Sequence, residues 1–171
     1  MTFASQTPIR RNSHVIPTAI GLVLAGLLCV LHLRLFGMGW PLLWLPVAVV
    51  ALWPSRVGPV LSGLVLAVVG LWVDFVTLGA PGQWSFVFLS VYLAIRPDLR
   101  LPPDGFVTAL ARVAAALLVA AIVFTLTGRA IYGSWPDLAP MGRGLLTTLL
   151  LSPVVIAVRA ALARSLSGDD S

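Results

Sequence analysis

The sequence has no lysine and no glutamate: its eleven basic residues are all Arg and its six acidic residues all Asp. The chemistry this removes is considerable. Without Glu there is no H-E-x-x-H metal site, and without Lys there is neither a Ser–Lys dyad nor a Walker loop. A single cysteine, Cys29, cannot close an intramolecular disulfide or assemble a zinc site, and it reads as a packing residue in an apolar run. G-x-S-x-G and G-x-G-x-x-G are missing too, and one embedded carboxylate is too few for a two-aspartate protease. These absences argue against an enzyme, and against a metal or other cofactor. The missing Lys and Glu read as codon bias in a GC-rich genome.

Charge is scarce altogether. Charged residues are 10% of the 171, and hydrophobic ones 59%, with a mean hydropathy of +1.02. Soluble domains carry about 25% charged and about 45–50% apolar residues. The pI near 11.1 might suggest nucleic acid, but the arginines stand singly or in pairs and form no patch, so no nucleic-acid partner is expected. A membrane-spanning helix needs ~20 apolar residues. Six would use about 120 residues and leave no room for a domain outside the bilayer.

The runs divide accordingly: 1–14 as an N-terminal tail, 15–164 as a six-helix transmembrane domain, and 165–171 as a C-terminal tail. Arg10-Arg11 precedes an apolar run to Leu33, too long for a cleavable signal core and therefore read as a retained anchor. The expected spans are Ile16–Phe36, Trp40–Trp53, Val57–Leu78, Gln83–Ile95, Phe106–Thr127 and Gly144–Ala163, the last with a kink at Pro153. Trp40, Trp44 and Trp53 suit the membrane interfaces. The second span is short enough to be re-entrant, and arginine placement decides the matter, since basic residues remain in the cytoplasm. Six crossings with both termini cytoplasmic put Arg10, Arg11, Arg56, Arg96, Arg100, Arg112, Arg159 and Arg164 inside and Arg34, Arg129 and Arg143 outside. Five crossings would leave only Arg10, Arg11, Arg129 and Arg143 inside. Arg112 and Arg159 are expected to snorkel to the cytoplasmic interface.

Asp74 is the single carboxylate in the apolar spans. Arg34 and Asp74 fall at matching height if both lie on helices rising from the cytoplasm, so a structural ion pair between them is expected. Gating, partner binding or an ion site are the alternatives for Asp74. Small-xxx-small pairs, which let helix backbones approach closely, occur at Gly21/Ala25, Gly63/Ala67, Ala111/Ala115 and Ala116/Ala120. Gly21, Ala25, Gly63 and Ala67 are the candidate helix-packing or partner face.

The stretch from Pro59 to Arg96 resembles the central segment of the MreD family, the rod shape-determining membrane proteins of bacteria. The resemblance lies in a Gly-rich helix ending G-x-x-x-D (Gly70, Asp74), a turn with Pro81-Gly82, and an aromatic helix with Trp84 and Tyr92 followed by Arg96. At the turn the family often has Pro-Leu-Gly, where this chain has Pro81-Gly82-Gln83. The resemblance implies a non-enzymatic scaffold subunit of the cell-elongation complex in the bacterial cytoplasmic (inner) membrane. It implies an MreC-like protein and peptidoglycan synthases as partners, beside membrane lipid and possible self-association. It also implies an all-α six-helix fold similar to the substrate-binding subunits of energy-coupling-factor transporters. That fold supplies the alternative function, substrate capture for a vitamin-type transporter.

Overall fold

A computed structural model describes residues 20–24, 34–35, 38–39, 44–53, 58–95 and 105–167, with side chains in the helices up to residue 161. Residues 20–24 are helical (α1). A two-residue antiparallel ladder follows, β1 (Arg34–Leu35) with β2 (Met38–Gly39), pairing Arg34 with Gly39 and Leu35 with Met38. The rest is helix: α2 (Leu45–Ala51), α3 (Pro59–Thr77), α4 (Gln83–Ile95), α5 (Phe106–Tyr132) and α6 (Leu138–Ser167).

Three of these, Pro59–Thr77, Phe106–Tyr132 and Leu138–Ala161, are long and apolar enough to cross a membrane. Large apolar side chains stand exposed along them, among them Leu64, Val68, Leu71 and Phe75 on α3 and Leu118, Ile122 and Leu126 on α5. A water-soluble monomer rarely displays apolar surface on this scale, whereas lipid tails solvate it.

Helix α3 shows how one sequence serves three environments. Ser62, Leu66, Val69 and Val73 are buried toward the core. Leu64, Val68, Leu71 and Phe75 point outward. Between these stripes run Gly63, Ala67, Gly70 and Asp74, again at spacings of four, three and four, along the seam with α4. Each set recurs with the period of a helix face.

Helix α2 is only seven residues, ~10 Å long, and six of the seven are buried. Its two ends nonetheless lie at opposite ends of the bundle. Trp44, just before it, packs edge-on against Trp84 at the start of α4 (5.7 Å between ring centroids) and Phe124 high on α5 (5.4 Å). Trp53, just after it, donates its indole N–H to Ser62 Oγ at 2.9 Å, in the first turn of α3. The chain therefore runs from one end of the bundle to the other through α2, and α3 to α6 continue the alternation. A helix this short suffices because α4, α5 and α6 surround it, so protein rather than lipid meets its ends.

Several boundaries differ from the sequence reading. Arg34 and Leu35 are extended, in a hairpin rather than the last turn of the first span, so a helical rise does not set the height of Arg34. Trp44 and Trp53 are each 1% exposed and belong to the core, not to an interfacial belt; Trp40 lies outside the described residues. The loop expected over 128–143 shrinks to Gly133–Asp137, because α5 continues to Tyr132 and α6 begins at Leu138. Gly128 is buried within α5, and the stop falls at Gly133, which takes the left-handed conformation (φ 70°) and sends its N–H back to the Arg129 carbonyl. Arg129 stacks over Trp135 at 5.4 Å and also donates to the Gly133 carbonyl. Asp137 Oδ1 accepts the Ala139 N–H at 3.0 Å, capping α6. Helix α6 runs through Pro153.

Candidate functional site

The residues that carry the sequence pattern converge on the hairpin between α3 and α4. Helix α3 ends at Leu78, which sits in the left-handed region (φ 54°), and its closing bonds return to residue 74: the Gly79 N–H donates to the Asp74 carbonyl at 2.9 Å. Pro81 and Gly82 (φ 91°) form the turn, and α4 starts at Gln83.

The Asp74 side chain, 1% exposed, serves the other helix. The Gly82 N–H donates to Oδ2 at 2.7 Å and the Trp84 N–H to Oδ1 at 2.9 Å. The first amides of any helix lack an intrahelical acceptor, and a carboxylate there also meets the positive end of the helix dipole. Asp74 thus caps α4 from the end of α3. Its carbonyl and both carboxylate oxygens bind the hairpin backbone, so one residue closes one helix and opens the next. Because Gly82 and Trp84 are fixed to it, the turn has little choice of register.

Gly70 has an equally specific reason. A Cβ at this position would stand 2.4 Å from Ser85 Cα and 2.5 Å from the Ser85 nitrogen. The helices touch backbone to backbone there, and only glycine fits. Ser85 Oγ then reaches across and donates to the Ala67 carbonyl at 2.7 Å. Gly63 points toward Leu89, 3.8 Å from where its Cβ would be. Gly63 and Ala67 both lie on the side of α3 that meets α4, and both are half-buried.

The other candidate residues fall as follows. Tyr92 is buried in the core, and Trp84 joins the aromatic group with Trp44, Phe88 and Phe124. Gly21 lies on α1 with no described atom within 4 Å of the Cβ it lacks. Ala25, Arg96 and the Arg34 side chain lie outside the described residues, and so does an ion pair between Arg34 and Asp74. Arg112 and Arg159 are half-buried, and Arg159 borders a hollow between α2, α5 and α6.

Sequence reading missed the capping role of Asp74. The signal was present: an aspartate eight residues before a Gly and ten before the first Trp of the next helix, across a Pro-Gly turn, suits a cap supplied from the preceding helix. It also missed Gln83, which is 5% exposed, with Nε2 lacking a hydrogen-bond partner among the described residues, as does Thr148 Oγ1. Among the described residues no three His, Cys or Asp side chains gather into a metal-binding group.

No protein-family model matches the chain, and no curated protein or solved structure matches it either.

Proposed function

We propose that the protein is a non-enzymatic scaffold subunit of a bacterial cell-elongation complex, embedded in the cytoplasmic membrane by six crossings with both termini inside. The observation that carries the reading is the α3–α4 hairpin. The residues that resemble MreD, Gly70, Asp74, Pro81, Gly82 and Trp84, form one rigid joint whose polar groups are turned on its own backbone. A carboxylate already holding two amides is poorly placed to bind a substrate or shuttle protons, so the joint serves shape. A protein of this build acts through its helix faces. Gly63 packs toward Leu89 of α4, so the other small-residue pair of the sequence, Gly21 on α1 with Ala25, is the candidate partner face. There the transmembrane or juxtamembrane segment of an MreC-like partner packs by close van der Waals contact. Held by it, the peptidoglycan synthases of lateral growth remain in one arrangement.

The test combines depletion with capture. Depleted cells are expected to lose their rod shape with vitamin uptake unchanged, and the MreC-like protein is expected to co-purify with the native chain but poorly with Gly21→Leu. Cells that kept their shape and lost uptake of one vitamin would replace this reading with the transporter subunit.

A further inference from the structure

Amphipathic aromatic rings gather where lipid tails give way to headgroups. Trp44 and Trp53 are buried in the core and cannot serve there. The α5–α6 loop supplies other rings. Tyr132, the last residue of α5, is 59% exposed, and Trp135, in the loop, is 64% exposed. Among the described residues they are the exposed tyrosine and the exposed tryptophan. Both are held in place. Tyr132 Oη accepts the Ala80 N–H at 3.2 Å, which ties it to the α3–α4 turn. Trp135 carries the Arg129 guanidinium over its ring at 5.4 Å.

Two arginines are turned toward the same level. Arg129, one turn before the end of α5, donates forward to the Gly133 carbonyl. Arg143, in the second turn of α6, turns its Nε back to the Ala139 carbonyl at 3.4 Å. The two helices run in opposite directions, with Thr125 Oγ1 against Met141 Sδ at 3.6 Å. Forward on α5 and back on α6 therefore both mean toward the loop. Long basic side chains at the ends of spanning helices bend in this way to leave the hydrocarbon. Both arginines are exposed, and each uses on that carbonyl one of the five N–H donors a guanidinium carries. Asp137 caps α6 through Oδ1 and Asp74 is buried, so the exposed charge here is two arginines against one aspartate.

The surroundings locate the level. Ile131 and Leu138 stand exposed beside the rings, a mixture that suits the headgroup boundary better than open water. One or two turns deeper, Ile122 and Leu126 on α5 and Leu146 and Leu150 on α6 make the surface wholly apolar. Helix α5 has 27 residues. At ~40 Å it exceeds the ~30 Å of bilayer hydrocarbon, so its last turn has room to stand among headgroups.

We propose that this end of α5 and α6 is a collar for anionic phospholipid headgroups. Tyr132 and Trp135 lie at the level of the acyl carbonyls, and Arg129 and Arg143 reach the phosphates of the adjacent leaflet. The collar sets the depth of the bundle in the bilayer. It holds whichever side of the membrane this end faces, and it stands or falls separately from the scaffold role.

The test uses the full chain reconstituted in phosphatidylcholine vesicles carrying brominated lipids, which quench indole fluorescence on contact. The Trp135 signal is that of the native chain less that of Trp135→Phe. Bromines near the headgroup are expected to quench it at least about twofold more than bromines near the chain ends. Equal quenching at both depths would overturn the proposal. So would none at either, which would place the loop in water and open it to a protein partner. As a minor component, shallow-brominated phosphatidylglycerol should quench about fivefold more effectively than the phosphatidylcholine equivalent. Arg129→Gln and Arg143→Gln should each lower that excess and together remove it. Arg143→Lys should keep it, which separates loss of charge from loss of fold. An excess that survives the double variant would contradict the collar. One that added inorganic phosphate abolishes would make this a free-anion site instead.

Discussion

The two ends of the bundle are built on opposite plans. At the hairpin end, the single carboxylate of α3 is matched to two amides, Tyr132 Oη accepts the Ala80 N–H at 3.2 Å, and Trp44, Trp84, Phe88 and Phe124 fill the space beneath. At the other end, a hollow remains among α2, α5 and α6 with an arginine in its wall. An embedded charge matched within its own chain acts as a structural joint.

The sharpest way to break this contrast is to remove the joint. Asp74→Ala leaves the Gly82 and Trp84 amides without their charged acceptor, and a loss of about 3 kcal/mol is expected. Asp74→Asn keeps one acceptor oxygen and should lose roughly half as much. Unfolding titrated with sodium dodecyl sulfate in mild detergent measures both. Equal, small losses would mean that the carboxylate has another purpose.

Gly70→Ala comes next. The added methyl meets Ser85 backbone, which cannot rotate aside, so α3 and α4 must separate at about 1–3 kcal/mol. Gly142→Ala is the matched control, since nothing lies within 4 Å of its Cβ position on α6. It should be neutral or stabilising by up to about 1 kcal/mol. Opposite signs in the same unfolding assay would locate the close contact at the seam.

These residues also show what could be read from the sequence alone. Gln83 to Ile95 was legible to the residue as a helix, because a Pro-Gly turn precedes it and a Pro- and Arg-rich stretch follows. Long apolar runs made α3, α5 and α6 visible as candidate spans, but not the ends of α5 and α6. Gly128 and Arg129 look like a loop, yet tertiary packing of Gly128 holds them in helix. The stripe Gly63, Ala67, Gly70, Asp74 was visible only in pieces, as a small-residue pair and as a G-x-x-x-D motif. Contact with α4 makes the two one feature. Asp74 was legible as special but not as a cap, since its acceptor role depends on a turn that folds back on it. The cavity could not be read at all: Leu52, Gly105 and Arg159 are far apart in sequence and meet only through helix packing.

Smaller effects sharpen the comparison further. At the cavity end, Trp53→Phe and Ser62→Ala should each lose about 1 kcal/mol by stranding a buried partner, and the double variant should lose less than their sum. Strict additivity would argue that the 2.9 Å bond contributes nothing. At the hairpin end, Leu78→Gly should gain about 0.5 kcal/mol, because Leu78 is 92% exposed and gives up only its strained left-handed backbone. A loss instead would show that its side chain packs on lipid or on a partner.

The orientation we propose from the arginine distribution puts the hairpin end outward and the opposite end toward the cytoplasm. Single cysteines at Ser134, beside the hairpin, and at Ser55, beyond Trp53, test it most directly in a Cys29→Ser background. With a membrane-impermeant thiol reagent on intact cells, Ser134→Cys is expected to react at once and Ser55→Cys only after the cells are permeabilised. Labelling of Ser55→Cys in intact cells, with Ser134→Cys protected, would contradict the account.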